Sequence, residues 1–271
     1  VARPHTEFIF AQSLPWEVSH DPPGRGGLRL KLLSCDDVIN ETTAIFELPA
    51  GCELSVTSPF QEEIYVLDGA LEIAGEHLAR DGYFRLPSNV PHQWSAKAGA
   101  VVLLFTNVPT SADDTSIIAI DAVALDWSTD GVPVELDFMR LARKPLFVEA
   151  LTGKIRTWLL SVAPQVAPRG DYLAVETHAC AEEVLMLSGD ITGPLGEMTP
   201  GAYFWRPRDT LHGPFGSRNG GMAISRWRDG EPVTTFHGGE VAEFTFEAPY
   251  VPVLDSAKAS AKSAPNAAER F

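Results

Sequence analysis

The chain repeats itself at a fixed offset. Glu62-Glu-Ile-Tyr-Val-Leu-Asp-Gly69 is answered by Glu182-Glu-Val-Leu-Met-Leu-Ser-Gly189, and Tyr83-Phe-Arg-Leu-Pro87 with His92 by Tyr203-Phe-Trp-Arg-Pro207 with His212. Glu62/Glu182, Gly69/Gly189, Tyr83/Tyr203, Pro87/Pro207 and His92/His212 are each separated by 120 positions. Five anchors at one offset mean two copies of one structural unit in tandem, because self-similarity at a constant period marks a repeated fold element. A chain of 271 residues is long enough for two domains of ordinary size, each with its own core. Turn-forming residues at Thr110-Ser-Ala-Asp-Asp-Thr115 and Thr129-Asp-Gly-Val-Pro133 place the division between the copies. The expected domains are 1–125 and 126–254, followed by a tail, 255–271, poor in bulky apolar residues.

Each copy reads as β structure. The 22 glycines and 21 prolines are spread along the chain and separate short runs rich in Val, Ile, Leu, Phe and Thr. Such runs occupy 28–33, 43–48, 64–67, 101–105, 157–162 and 222–227. Helical signals are scarce; 137–152 has some helical composition but is interrupted by Pro145. The expectation is an all-β chain with few short helices.

A net charge of −15 makes nucleic acid and anionic membrane poor partners. No apolar run approaches the roughly 18 to 20 residues that span a bilayer. Val1-Ala-Arg-Pro-His-Thr-Glu-Phe8 lacks the basic-then-apolar pattern of a signal peptide. Cys35, Cys52 and Cys180 are too few and too scattered for a disulfide framework, which fits a reducing compartment. A cytoplasmic protein is the expectation.

The second copy carries the chemistry. Read as one strand, Glu176-Thr-His-Ala-Cys-Ala-Glu-Glu183 puts Glu176, His178, Cys180 and Glu182 on one face, since strand side chains alternate. Four possible ligands on one face, with His212 on a later strand, suggest a mixed nitrogen and oxygen site for iron, manganese, nickel or zinc. The plainer reading is a hydrogen-bonded polar cluster, but buried charge is costly without compensation. Cys180 reads as a small buried thiol. Parity puts Glu183 on the opposite, solvated face. In the first copy Val56 and Ser58 stand at the positions of Glu176 and His178, leaving Glu62 and His92. That copy is expected to be metal-free and structural.

At these residues the chain resembles the cupin superfamily, and within it the bicupins. The first cupin motif has the form H-x-H-x(3,4)-E-x6-G, matched by Glu176-x-His178-x3-Glu182-x6-Gly189 with glutamate at the first histidine position. The second has a Pro-x-Gly turn ahead of a histidine; here Pro200-Gly201 precedes His212. The wording is most similar to ChrR-type domains and acetylacetone-cleaving dioxygenases.

The resemblance implies two tandem jelly-roll-like β-barrels. It implies one divalent metal ion held by His178, Glu182 and His212, with Glu176 as a further ligand or a catalytic base. Two histidines and a carboxylate with open positions is the non-haem Fe(II) pattern, so Fe(II) is favoured over Zn, Mn or Ni. The implied function is a dioxygenase cleaving a carbon–carbon bond in a small diketone or phenolic ketone. The alternatives are a redox-neutral isomerase, hydrolase or lyase, and a non-catalytic sensor. Trp205 could line an apolar substrate pocket. Arg206 and Arg226 could hold a substrate carboxylate or enolate, with structural ion pairing as the competing reading. The expected partners are a small-molecule substrate and a second copy of the chain.

Overall fold

Short apolar runs punctuated by Gly, Pro, Asn and Asp fold into strands that alternate with tight turns. The computed structural model describes residues 3–20, 24–109, 116–168, 175–238, 243–254 and 271. The expected tail, 255–271, lies outside the described residues except for Phe271. The chain divides into two units, residues 1–3 with 14–125, and residues 4–13 with 126–271. The first strand, β1 (Thr6–Phe10), therefore belongs to the second unit, whereas division at residue 125 alone would place it in the first.

The first unit contains β2 (Glu17–Val18), β3 (Arg29–Cys35), β4 (Thr42–Leu48), β5 (Cys52–Val56), β6 (Gln61–Ile73), β7 (Glu76–Ala79), β8 (Gly82–Leu86), β9 (His92–Ala96), β10 (Ala100–Asn107) and β11 (Ile118–Asp121). Its main sheet runs β11-β8-β6-β10-β4-β3-β2, with β5, β7 and β9 paired beside it. Phe46, Ile64, Val66, Phe84, Trp94 and Leu104 form its buried core.

The second unit continues with β12 (Ala142–Val148), β13 (Ile155–Val166), β14 (Val175–His178), β15 (Ala181–Gly189), β16 (Ile191–Gly193), β17 (Gly196–Met198), β18 (Ala202–Arg206), β19 (Ser217–Arg228) and β20 (Thr234–His237). Its sheet runs β1-β18-β15-β19-β13-β12, with two-stranded ribbons β14-β20 and β16-β17. Among the described residues the helical elements are two 3-10 segments, Ala11–Ser13 and Val134–Met139.

Three expectations need correction. The main sheets do not close into barrels; each runs as an open path with two ends. The stretch 176–183 is not one strand, because the chain bends at Ala179 and Cys180, so β14 leaves the sheet and pairs with β20. The helical composition of 137–152 is realised only as the end of the 3-10 segment, and residues 142–148 form β12. Pro145 suits this edge strand, where a missing donor costs no ladder bond.

The repeat survives at the level of single hydrogen bonds. Asn89 N donates to Ser58 O at 2.7 Å, as Asp209 N donates to His178 O at 2.8 Å. Asn89 and Asp209 both adopt positive φ, 58° and 61°. Val56 pairs with His92, as Glu176 bridges His212. The glycine that closes each motif has a steric cause. Gly69 and Gly189 have φ of 74° and 70°, and an added Cβ would lie 2.2 Å from Gly99 O and 1.9 Å from Gly220 O. Gly189→Ala is expected to destabilise the second unit by about 3 kcal/mol, from left-handed strain plus displacement of β19. Thermal denaturation would register this as a drop of roughly 6–12 °C; an unchanged melting temperature would contradict it.

Candidate metal centre

Glu176 and His178 are two residues apart on β14 and share a face. Paired backbone bonds between Glu176 and His212, 2.9 and 3.0 Å, hold the second histidine alongside. The turn at Asp209, tied to the His178 carbonyl, brings the chain back to that place. Glu182 enters from the start of β15. The His178 and His212 rings are 4.8 Å apart between centroids.

The ring nitrogens are already sorted. His212 Nδ1 lies 2.8 Å from Thr210 O, a partner that can only accept, so Nδ1 carries the proton and Nε2 presents its lone pair. His178 Nδ1 contacts Thr234 Oγ1 on β20 at 3.1 Å, leaving Nε2 directed at the same space. His212 Nε2 is 3.5 Å from Glu176 Oε1 and 3.9 Å from Glu182 Oε2, and His178 Nε2 is 3.6 Å from Glu182 Oε1. These distances exceed a hydrogen bond. They approach the separation of about 3.0–3.4 Å between two ligands held about 2.1 Å from one ion. One ligand atom each from Glu176, His178 and His212 lies within 4.8 Å of the others, and all three residues are buried. Glu176 Oε2 and His212 Nε2 are buried without a hydrogen-bond partner. Orphaned acceptors converging in this way fit a divalent cation. Burial pushes the His178 pKa down against the pull of Glu182, favouring the neutral, ligating imidazole.

Glu182 is differently placed. Its Oε2 accepts from Arg206 Nη1. Arg206 also donates through Nε, at 3.1 Å, and through Nη2 to Glu7 on β1. Burial raises the pKa of Glu182, but His178, Arg206 and His212 outweigh it and hold the carboxyl below its usual range. For Glu7 burial likewise opposes ionisation, while Arg206 and His5 bring its pKa down to about 2. Arg206 thus joins two carboxylates at the edge of the cluster.

A cavity of about 120 Å³ lies beside the cluster, walled by Trp158, Leu160, Met186, Phe204, Phe215 and Trp227. On β19, Ala223 and Ser225 oppose Met186 and Val184. A cavity near 150 Å³ accepts a benzene-sized ring.

Trp205 and Arg226 do not line this cavity. Arg226 Nη1 donates to Glu183 Oε2 at 2.8 Å, and Tyr203 Oη donates to Glu183 Oε1 at 2.6 Å. Glu183 is therefore not solvated, being 1% exposed. It shares the face opposite the metal cluster with a buried cation. Cys180 is buried at the bend, and burial pushes its pKa up to about 12. Sequence reading missed Glu7, Thr234 and the wall formed by 132–141, each supplied by a segment outside the motif.

In the first unit Arg25 occupies Glu62 through two hydrogen bonds, 3.0 and 2.8 Å, with both side chains buried. Its guanidinium lies 5.5 Å from the Trp94 ring centroid. His92 keeps the same Nδ1 contact to a backbone carbonyl, Val90 O at 2.8 Å.

No family model matches the chain, and no curated protein matches it. Solved structures do. A candidate dioxygenase from Nostoc punctiforme aligns with TM-score 0.69 at 20% identity, covering 87% of this chain and 91% of that one. Protein Ylba from E. coli aligns with TM-score 0.57 at 16% identity, covering 85% and 95%. An oxalate decarboxylase variant from Bacillus subtilis aligns with TM-score 0.54 at 10% identity, covering 85% and 79%. These are cupin-fold proteins, and the chain shares their fold. Among the described residues, no helix is long and apolar enough to cross a membrane.

Proposed function

We propose that the second unit is a metal-dependent enzyme of non-haem Fe(II) type that cleaves a carbon–carbon bond in a small diketone or phenolic ketone. The observation that carries the reading is the convergence of Glu176, His178 and His212 beside an apolar cavity. Two imidazoles and one carboxylate leave coordination positions for substrate oxygens and dioxygen. The structural likeness to a candidate dioxygenase supports the same reading.

Glu176, His178 and His212 would hold the ion. When bound it supplies Lewis acidity and places the substrate beside dioxygen. The chain's own groups do the rest. Thr210 O and Thr234 fix the two rings. Glu176 Oε2, buried and unpartnered, is the atom that takes a proton from an enolisable substrate. Arg206 holds Glu182 ionised beside His178, and Trp158, Phe204 and Trp227 exclude water. A redox-neutral reading rests on the same Oε2, since a carboxylate base beside a zinc or manganese ion suffices for isomerisation or hydrolysis.

Metal analysis of the purified protein, with oxygen uptake measured against diketones and phenolic ketones, separates the two. Iron near one per chain with substrate-dependent oxygen uptake is the expected result. Zinc or manganese without uptake would replace the dioxygenase reading with the redox-neutral one, and absence of any bound metal would overturn both.

A further inference from the structure

Two guanidinium groups line the cavity, Arg206 and Arg143. Arg206 is consumed by Glu7 and Glu182. Arg143 is not. It stands on β12 at the far edge of the sheet, opposite Leu160. Between β12 and the strand of Glu182 lie β13 and β19, making three strand spacings, or about 14 Å. Its Nη2 donates to the Asp130 carbonyl oxygen at 2.8 Å, its Nε is buried without a partner, and its guanidinium lies 6.0 Å from the Trp158 ring centroid. Among the described residues no carboxylate pairs with it. Burial pushes its pKa down, the direction expected of a charge lacking compensation.

The cavity is therefore polarised. One end carries the carboxylates of Glu176 and Glu182, the middle is apolar, and the other end carries a guanidinium that pairs with no carboxylate among the described residues. We propose that Arg143 is the anion-binding end of the cavity, and that its ligand is a ring-sized, mostly apolar molecule bearing one anionic group at the end remote from Glu176, His178 and His212. This names the substrate class of the proposed enzyme and rests on the reading of the cavity as its substrate site. Arg143 attracts the anionic end of such a molecule, so its other end is presented to the ligand cluster. The indole of Trp158 stiffens the guanidinium by lying beside it.

Benzenesulfonate tests this, because a sulfonate is a weak metal ligand and methyl phenyl sulfone is its neutral counterpart of similar shape. Calorimetric titration of the full chain is expected to show roughly 10- to 100-fold tighter binding of benzenesulfonate, the range for a charge-assisted hydrogen bond. Arg143→Gln removes the preference and Arg143→Lys keeps part of it, with metal content unchanged in both. Chelator-treated protein keeps the preference, so loss of metal and loss of the anion site are read separately. Equal affinities in the unmodified chain, binding of neither probe, or a preference that persists in Arg143→Gln would overturn the proposal.

Discussion

His212→Ala is expected to lower metal affinity by at least roughly 100-fold, since loss of even a partner behind a ligand costs 10- to 100-fold. His178→Ala should behave alike, because the two Nε2 atoms face the same space as Glu176. The molecule supplies its own control. His92 makes the same backbone contact in the first unit, but the glutamate there is held by Arg25 and the positions of Glu176 and His178 are Val56 and Ser58. His92→Ala should leave metal content unchanged. Cobalt titration followed by absorbance, with elemental analysis of each variant, measures both. Full metal content in His212→Ala would sink the assignment of the site.

Arg206→Met is expected to cost about 3–5 kcal/mol at pH 7, because it strands two buried carboxylates that face one cation. Urea denaturation in excess chelator isolates this from metal binding. The pH dependence should also change sign. In the unmodified chain the Glu7 pKa falls from its usual 4.5 to about 2. A depressed carboxyl stabilises the fold above its unfolded pKa and loses that contribution as pH falls toward its folded value. At about 1.4 kcal/mol per unit, the depressed Glu7 carboxyl, held mainly by Arg206 and also by His5, contributes about 3 kcal/mol, present above pH 4.5 and lost on approach to pH 2. Without Arg206 the two carboxylates repel and resist ionisation, so the variant should gain stability as pH falls from 7 to 5. A loss under about 1 kcal/mol with an unaltered pH profile would show that Arg206 is not the ion pair's keystone.

The same arginine shows where sequence reading ends. Residues 206 and 226 are both arginines near the motif, and both suit a substrate anion. Register decides otherwise. Glu182 pairs across to Arg206, and Glu183 pairs across to Arg226. One ion pair therefore falls on the cavity face and the other on the reverse face, and each guanidinium is committed to a carboxylate. Arg143 lies on an edge strand in a stretch whose composition suggested a helix.

The sequence by itself determined the repeat, the β-rich class and the glycines at 69 and 189, and it named Glu176, His178, Glu182 and His212 as candidate ligands. All of these are written in local spacing: alternation along a strand, positive φ at a turn, and a fixed offset between copies. Only the tertiary structure decided which charges meet. Glu7 reaches Arg206 from 199 residues away because β1 pairs with β18, and Arg25 reaches Glu62 across 37 residues. Electrostatic partners depend on distance in space, and strand pairing, not chain separation, sets that distance.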